Sequence, residues 1–149
     1  MIRIQQEAFD TAAELAKLKA GNANIGGTVV FLGSVRDVSG GKAVAAMTLE
    51  HYPGMTEKAL EEIDVEARRR WPLDASLIVH RYGRLQPGDD IVLVITASAH
   101  REAAFAACHF LIDWLKTKAP FWKLEENPQG AEWVAAKDDD ETAARRWDK

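Results

Sequence analysis

The chain has 149 residues, of which 47% are apolar and 28% charged. That is one domain's length, since single domains run roughly 100–200 residues, and its composition is that of a globular rather than a disordered protein. Lys plus Arg total 19 against 23 for Asp plus Glu, a net charge of −4, which argues against a general nucleic-acid binder. A single cysteine excludes an internal disulfide and a Cys-rich zinc site. The start, Met1-Ile2-Arg3-Ile4-Gln5-Gln6-Glu7, lacks the apolar core of a signal peptide. No apolar run is long enough to span a bilayer, so the expectation is a cytoplasmic, single-domain protein covering 1–149.

Residues 1–6 alternate weakly and predict a short edge strand. Thr11 and Glu14 have capping-box spacing and predict a helix over 12–20. Thr28-Val29-Val30-Phe31-Leu32 is β-branched and apolar, the pattern of a buried strand. A polar, glycine-containing loop follows over 34–42, then a second strand over 43–51. An amphipathic helix is expected over 56–70, with Leu60, Ile63 and Ala67 on its inner face and a solvated charged outer face.

Strands are predicted over 76–81 and 91–97, separated by a turn-rich link over 83–89. Ser98 is placed to cap a long helix over 100–118 that Pro120 closes. Two short strands, 121–126 and 132–135, flank the Asn127-Pro128-Gln129-Gly130 turn. Asp138 and Glu141 repeat the capping-box spacing for a last helix ending near Trp147. The order β-α-β-β-α-β-β-α-β-β-α predicts an α+β fold with a largely antiparallel sheet packed with three to four helices. The long helix is apolar nearly all round, which implies burial on more than one side. One cover is the chain's own sheet, and the other is a candidate surface for a second subunit.

Candidates for chemistry are few. His51, His80, His100 and His109 include no pair at metal-ligand spacing on one element, so no metal site is expected. Cys108 sits among alanines and phenylalanines, where a small buried hydrophobe is expected rather than a nucleophile. Gly40-Gly41 is too little for a phosphate loop. The cations say more. Lys116, Lys118 and Lys123 occupy a stretch without acids, with the apolar Ala119-Pro120-Phe121-Trp122 between them. A helix C-terminus favours cations through its dipole. That accounts for Lys116 and Lys118 but not for Lys123, which lies in the next element. Arg36 opens a loop after a strand, where binding residues gather. His100-Arg101 starts the long helix, where an arginine goes against the dipole. A continuous helix sets Arg101 and Lys116 roughly 22 Å apart at about 1.5 Å per residue. If both bind one small substrate, one of them comes from a second copy of the chain.

Four segments in order resemble the large, catalytic subunit of molybdopterin synthase, the MoaE family. They are Phe31-Leu32-Gly33-Ser34-Val35-Arg36, Leu49-Glu50-His51-Tyr52-Pro53-Gly54-Met55, Ser98-Ala99-His100-Arg101, and Leu115-Lys116-Thr117-Lys118-Ala119-Pro120-Phe121-Trp122-Lys123. The resemblance implies a sulfurtransferase of molybdenum cofactor biosynthesis. It would convert cyclic pyranopterin monophosphate (precursor Z) into molybdopterin by installing two sulfurs as a dithiolene. The sulfur would come from a ubiquitin-like small subunit whose C-terminal Gly-Gly carries a thiocarboxylate. The assembly implied is a homodimer at the centre of a heterotetramer, and no cofactor or metal is required.

Carried over by position, Lys116 and Lys123 are the expected catalytic lysines. Ser34, Val35, Arg36, His100, Arg101, Leu124 and Glu125 match substrate-binding positions, with His100 and Arg101 reaching the other chain's pocket. Phe31, Ile112 and Phe121 match the channel for the partner's tail. The sequence departs from the family at two of these positions: Ser34 stands where a lysine is often found, and Leu124 where a basic residue is. Backbone N–H groups at those places are the expected substitute donors. A rival of another class is a non-catalytic adaptor that docks a ubiquitin-like Gly-Gly tail in the same groove.

Overall fold

The computed structural model describes residues 1–134 and 138–148. Its strands are β1 (Ile2–Gln5), β2 (Gly27–Ser34), β3 (Val38–Ser39), β4 (Lys42–Ala43), β5 (Ala46–His51), β6 (Ala75–Arg81), β7 (Gly83–Leu85), β8 (Asp90–Ser98), β9 (Phe121–Asn127) and β10 (Gly130–Val134). Its helices are α1 (Thr11–Lys19), α2 (Met55–Arg70), α3 (Arg101–Thr117) and α4 (Asp138–Arg145). The expected elements are all present in order within the described residues, and Ala135, included in the predicted last strand, lies outside them. The structure adds the β3–β4 hairpin and β7, pieces of two or three residues that show no periodicity to read. The class is α+β.

Two four-stranded sheets organise the chain. The first has the order β1-β6-β8-β2, antiparallel except for the parallel β1–β6 pair; the second has the order β10-β9-β5-β7 and is antiparallel throughout. Side chains alternate across each strand, and the first sheet shows this cleanly. Leu77, Val79, Leu93 and Ile95 pack on Phe9, Leu15 and Leu18 beside α1. Ile78, Val92 and Val94 face the other way, onto Leu60, Ile63 and Ala67 of α2 and Cys108, Phe110 and Leu111 of α3. The second sheet buries Leu49 and Leu85 with Val35.

Three local expectations change. Asp10, not Thr11, caps α1, accepting from the Ala13 N–H at 3.0 Å. Ser98 does not cap α3: it ends β8 and its hydroxyl donates to the Pro72 carbonyl at 2.7 Å, leaving His100 at the N-cap without a side-chain cap bond. β2 is an edge strand rather than a fully buried one. Val30 and Leu32 are 39% and 41% exposed: the cluster around α1 covers β6 and β8 and includes no residue of the β2 edge.

Within this chain, α3 is covered on the side away from the sheet by α2 and α4. Trp147, just beyond α4, packs edge-on against Trp71 and Phe110, and its indole N–H donates to the buried Asp113 carboxylate at 2.7 Å. Thr96 of β8 ties the sheet side of the helix by donating to the Ala104 carbonyl at 2.7 Å. Phe105 is left exposed.

The start of β2 passes directly under the turn into α3. A methyl group on Gly26 would stand 2.1 Å from the Ala99 carbonyl oxygen, and one on Gly27 would stand 3.1 Å from the Arg101 Cα. Both obstacles are backbone and neither is at a flexible end. Gly26→Ala is therefore expected to cost about 2–3 kcal/mol, the range of an overpacked core. A urea titration reads this as a lower midpoint at unchanged slope; an unchanged midpoint would show that the turn yields freely.

Candidate active site

A cleft of about 480 Å³ opens where α3 ends and β9 begins, within the size range of small-molecule sites. Three elements set its chemistry. α3 contributes Ile112, Leu115 and, one residue before its end, Lys116. β9 leaves the helix through the bend at Ala119-Pro120 and contributes Phe121, Lys123 and Glu125. These three are alternate residues of one strand and so share a face. β2 and the loop after it supply Phe31, Gly33, Ser34 and Arg36.

Two lysines from successive elements thus face one space, together with Arg36. Lys118, the third lysine of the acid-free stretch, borders a separate depression with Glu66, Arg70 and Trp147. The dipole argument accounts for Lys118; it is Lys116 and Lys123 that share the cleft. Glu125 and Asp140 of α4 are the carboxylates on its lining, and Glu125 accepts from the Ser39 hydroxyl at 2.9 Å. That bond ties the β3–β4 hairpin against β9 as one wall. Phe31, Ile112 and Phe121 form apolar sides.

Not every expected residue is on this lining. Val35 is buried in the small core with Leu49 and Leu85. Its N–H is already given to the Asp89 carbonyl at 2.9 Å, and its own carbonyl accepts from Gly88 at 2.8 Å. Ser34 lines the cleft and its hydroxyl donates to Asp90 at 3.0 Å. Leu124 points to the opposite face of β9 from Lys123, cross-strand from Thr48 and Trp133. His100 and Arg101 stand at the far end of α3, away from the lysines, as the helix length requires. The geometry thus gathers Phe31, Ser34, Arg36, Ile112, Lys116, Phe121, Lys123 and Glu125, and leaves Val35, Leu124, His100 and Arg101 outside the single-chain cleft.

His80 is the participant the sequence reading passed over. It lines the cleft, is 6% exposed, and stacks on Phe121 with ring centroids 3.7 Å apart at 13°. Its Nδ1 lies 2.8 Å from the Arg81 carbonyl. Burial drives its imidazole down to about 3, and the positive charges of Lys123 and Lys116 push the same way against that hydrogen bond. The ring is neutral at physiological pH. One signal was readable: in β6, residue 80 is in phase with the core-facing Ile78. Ser39 and Asp140 had no such signal, because a two-residue strand and a distant helix bring them in. Cys108 is buried, and burial pushes its thiol up to about 11, in keeping with a packing role. Among the described residues, no three His, Cys, Asp or Glu side chains come together to hold a metal, and no helix is long and apolar enough to cross a membrane.

Comparison with known proteins matches the chain to one family. The family model described as MoaE protein matches residues 4–118. The molybdopterin synthase catalytic subunit of Pseudomonas aeruginosa is 55% identical over 148 residues, covering 99% of each chain. Among solved structures, the molybdopterin biosynthesis MoaE protein from Burkholderia ambifaria superposes with a TM-score of 0.85 at 55% identity, covering 100% of this chain and 98% of that one. The molybdopterin synthase structure from Staphylococcus aureus gives 0.82 at 34% identity, covering 89% of this chain and 96% of that one. With the match extending from β1 to the C-cap of α3 and full-length relatives more than half identical, the chain belongs to the MoaE protein family.

Proposed function

We infer that this chain is the catalytic subunit of a molybdopterin synthase, a sulfurtransferase of molybdenum cofactor biosynthesis. It passes sulfur from the C-terminal thiocarboxylate of a ubiquitin-like small subunit to cyclic pyranopterin monophosphate, forming the dithiolene of molybdopterin. The observation that carries this reading is the gathering of Lys116, Lys123 and Arg36 in one cleft that also has apolar sides at Phe31, Ile112 and Phe121.

The chemistry explains why such a cleft is needed. The pterin phosphate and the attacking thiocarboxylate are both anions. At 4 Å and an effective dielectric of 20 they repel by roughly 4 kcal/mol. Fixed cations remove that barrier and stabilise charge developing on oxygen during displacement. Lys116 and Lys123 are assigned the catalytic roles, and Arg36 the grip on the anion, with Ser34 and Glu125 beside it. The sides made by Phe31, Ile112 and Phe121 suit an extended Gly-Gly tail, which has no side chains to obstruct it. Val35 and Leu124 serve through packing around the site rather than through side chains in it. His100 and Arg101 reach the cleft of a second copy in a central homodimer. The setting is the cytoplasm.

The direct test mixes the purified chain with a thiocarboxylated small subunit and cyclic pyranopterin monophosphate. Dithiolene is expected in the mixture and absent when any component is left out. Stable docking of the tail without dithiolene would instead favour the adaptor reading.

A further inference from the structure

The bend between the two lysines is held by a histidine that no part of the reaction above requires. Lys116 ends one element and Lys123 lies near the start of the next, so their separation depends on how Ala119, Pro120 and Phe121 are fixed. Phe121 is the first residue of β9, and one face of its ring lies flat on His80, with His51 packed beyond at 6.1 Å. His80 itself sits in the interior of the first sheet, in β6, between β1 (opposite Ile4) and β8 (opposite Val92). It is the rigid partner in the stack.

The imidazole also has a defined polarity. A carbonyl oxygen only accepts, so the contact with Arg81 requires the proton on Nδ1. In a neutral ring that leaves Nε2 as a lone-pair acceptor. The ring borders the cleft that both lysines border. Building on the sulfurtransferase reading, we propose that His80 is a positioning residue for the lysine pair: its stack on Phe121 pins the bend, and its Nε2 accepts a hydrogen bond from a lysine ammonium in the cleft.

A neutral acceptor is well matched to this task. A lysine head carries three donors on a flexible four-carbon stem, and an unrestrained ammonium samples positions in which it cannot stabilise the reacting anion. A carboxylate would restrain it but cancel the charge that attracts the substrate. Neutral imidazole restrains it and leaves the charge in place. The low value of about 3 for His80 keeps it in that form across the working range.

The two halves of the proposal separate by substitution in the assembled complex. His80→Phe keeps a flat ring on Phe121 and removes the acceptor. His80→Gln removes the ring and keeps an acceptor near the Nε2 position. His80→Phe is expected to lower kcat by about 10–100-fold, the effect of misplacing a catalytic group by about an ångström. Its KM for the pterin should stay within about twofold, because Arg36 is untouched. His80→Gln should recover most of the loss. Full kcat in His80→Phe would overturn the role of Nε2, and so would equal losses in both variants.

A second measurement needs neither a folded variant at position 80 nor any turnover. Nitrogen-15 NMR of the native chain should show Nδ1–H and bare Nε2, with the Nε2 resonance displaced by Lys123→Ala or Lys116→Ala. A proton on Nε2, or a resonance indifferent to both lysines, would overturn the proposal. If the native complex makes no dithiolene, the sulfurtransferase reading fails, while the NMR result still decides what His80 does.

Discussion

Lys116→Ala is expected to abolish dithiolene formation, with kcat down by about a thousandfold or more and the fold unchanged. Removing one preorganised electrostatic stabiliser from an active site costs about 10²–10³ in rate. Here the lost group also opposes the repulsion between two anionic reactants, so the effect should lie at or beyond the upper end. Stability should not follow, because Lys116 is an exposed residue in the last turn of α3. The hydrogen bonds that finish the helix, from the Lys118 N–H to Trp114 and from the Thr117 hydroxyl to Asp113, both bypass its side chain. A thermal melt matching the native chain, beside a single-turnover assay with no product, is the expected pair of results. Substantial activity in this variant would remove the catalytic assignment and with it the electrostatic account of the cleft.

The split between what the sequence disclosed and what it concealed has physical causes. Elements with one buried face were readable: α2 buries the three residues its pattern named, Leu60, Ile63 and Ala67, and β6 and β8 alternate between two cores. β2 was misjudged because its sequence is apolar on both faces, and only the position of α1 determines which face is covered. The N-cap of α3 was misjudged because Ser98 still belongs to β8 and its hydroxyl, instead of accepting from a helix N–H, donates to the Pro72 carbonyl, a contact between residues far apart in the chain. Nothing local reveals that Trp147 folds back onto Phe110, so the part of the α3 cover that comes from the chain's own C-terminal segment was not legible.

Site residues divide along the same line. Lys116 and Lys123 were visible because they fall within one acid-free stretch spanning the helix end and the strand; Phe121, like Phe31 and Ile112, came from the family resemblance. Arg36 was marked by its place in a loop after a strand and again by the family resemblance, Glu125 by the resemblance alone, and the structure brings both to the same cleft. His80 was discounted because the histidines were examined for metal-ligand spacing. An imidazole acting by stacking and by a single acceptor atom has no spacing signature. Only its core-facing phase in β6 singled it out.

Arg101 supplies the sharpest test of how many chains build one site. It stands at the first residue of α3 and Lys116 near the last turn, so within one chain the helix keeps them roughly 22 Å apart. If Arg101 serves the reaction, it does so across a two-fold axis, and each cleft borrows it from the neighbouring copy. Arg101→Ala and Lys116→Ala should then each be inactive alone yet complement each other after subunit exchange. In a mixed dimer one cleft carries both defects and the other carries neither. Random exchange makes half the dimers mixed, so activity should rise to roughly a quarter of the native value. No arrangement with Arg101 and Lys116 of the same chain in one cleft yields this result, since every cleft would keep one defect. If exchange is verified by mass and activity remains at the sum of the two parents, the shared-site account fails, and Arg101 must act within its own chain or not at all.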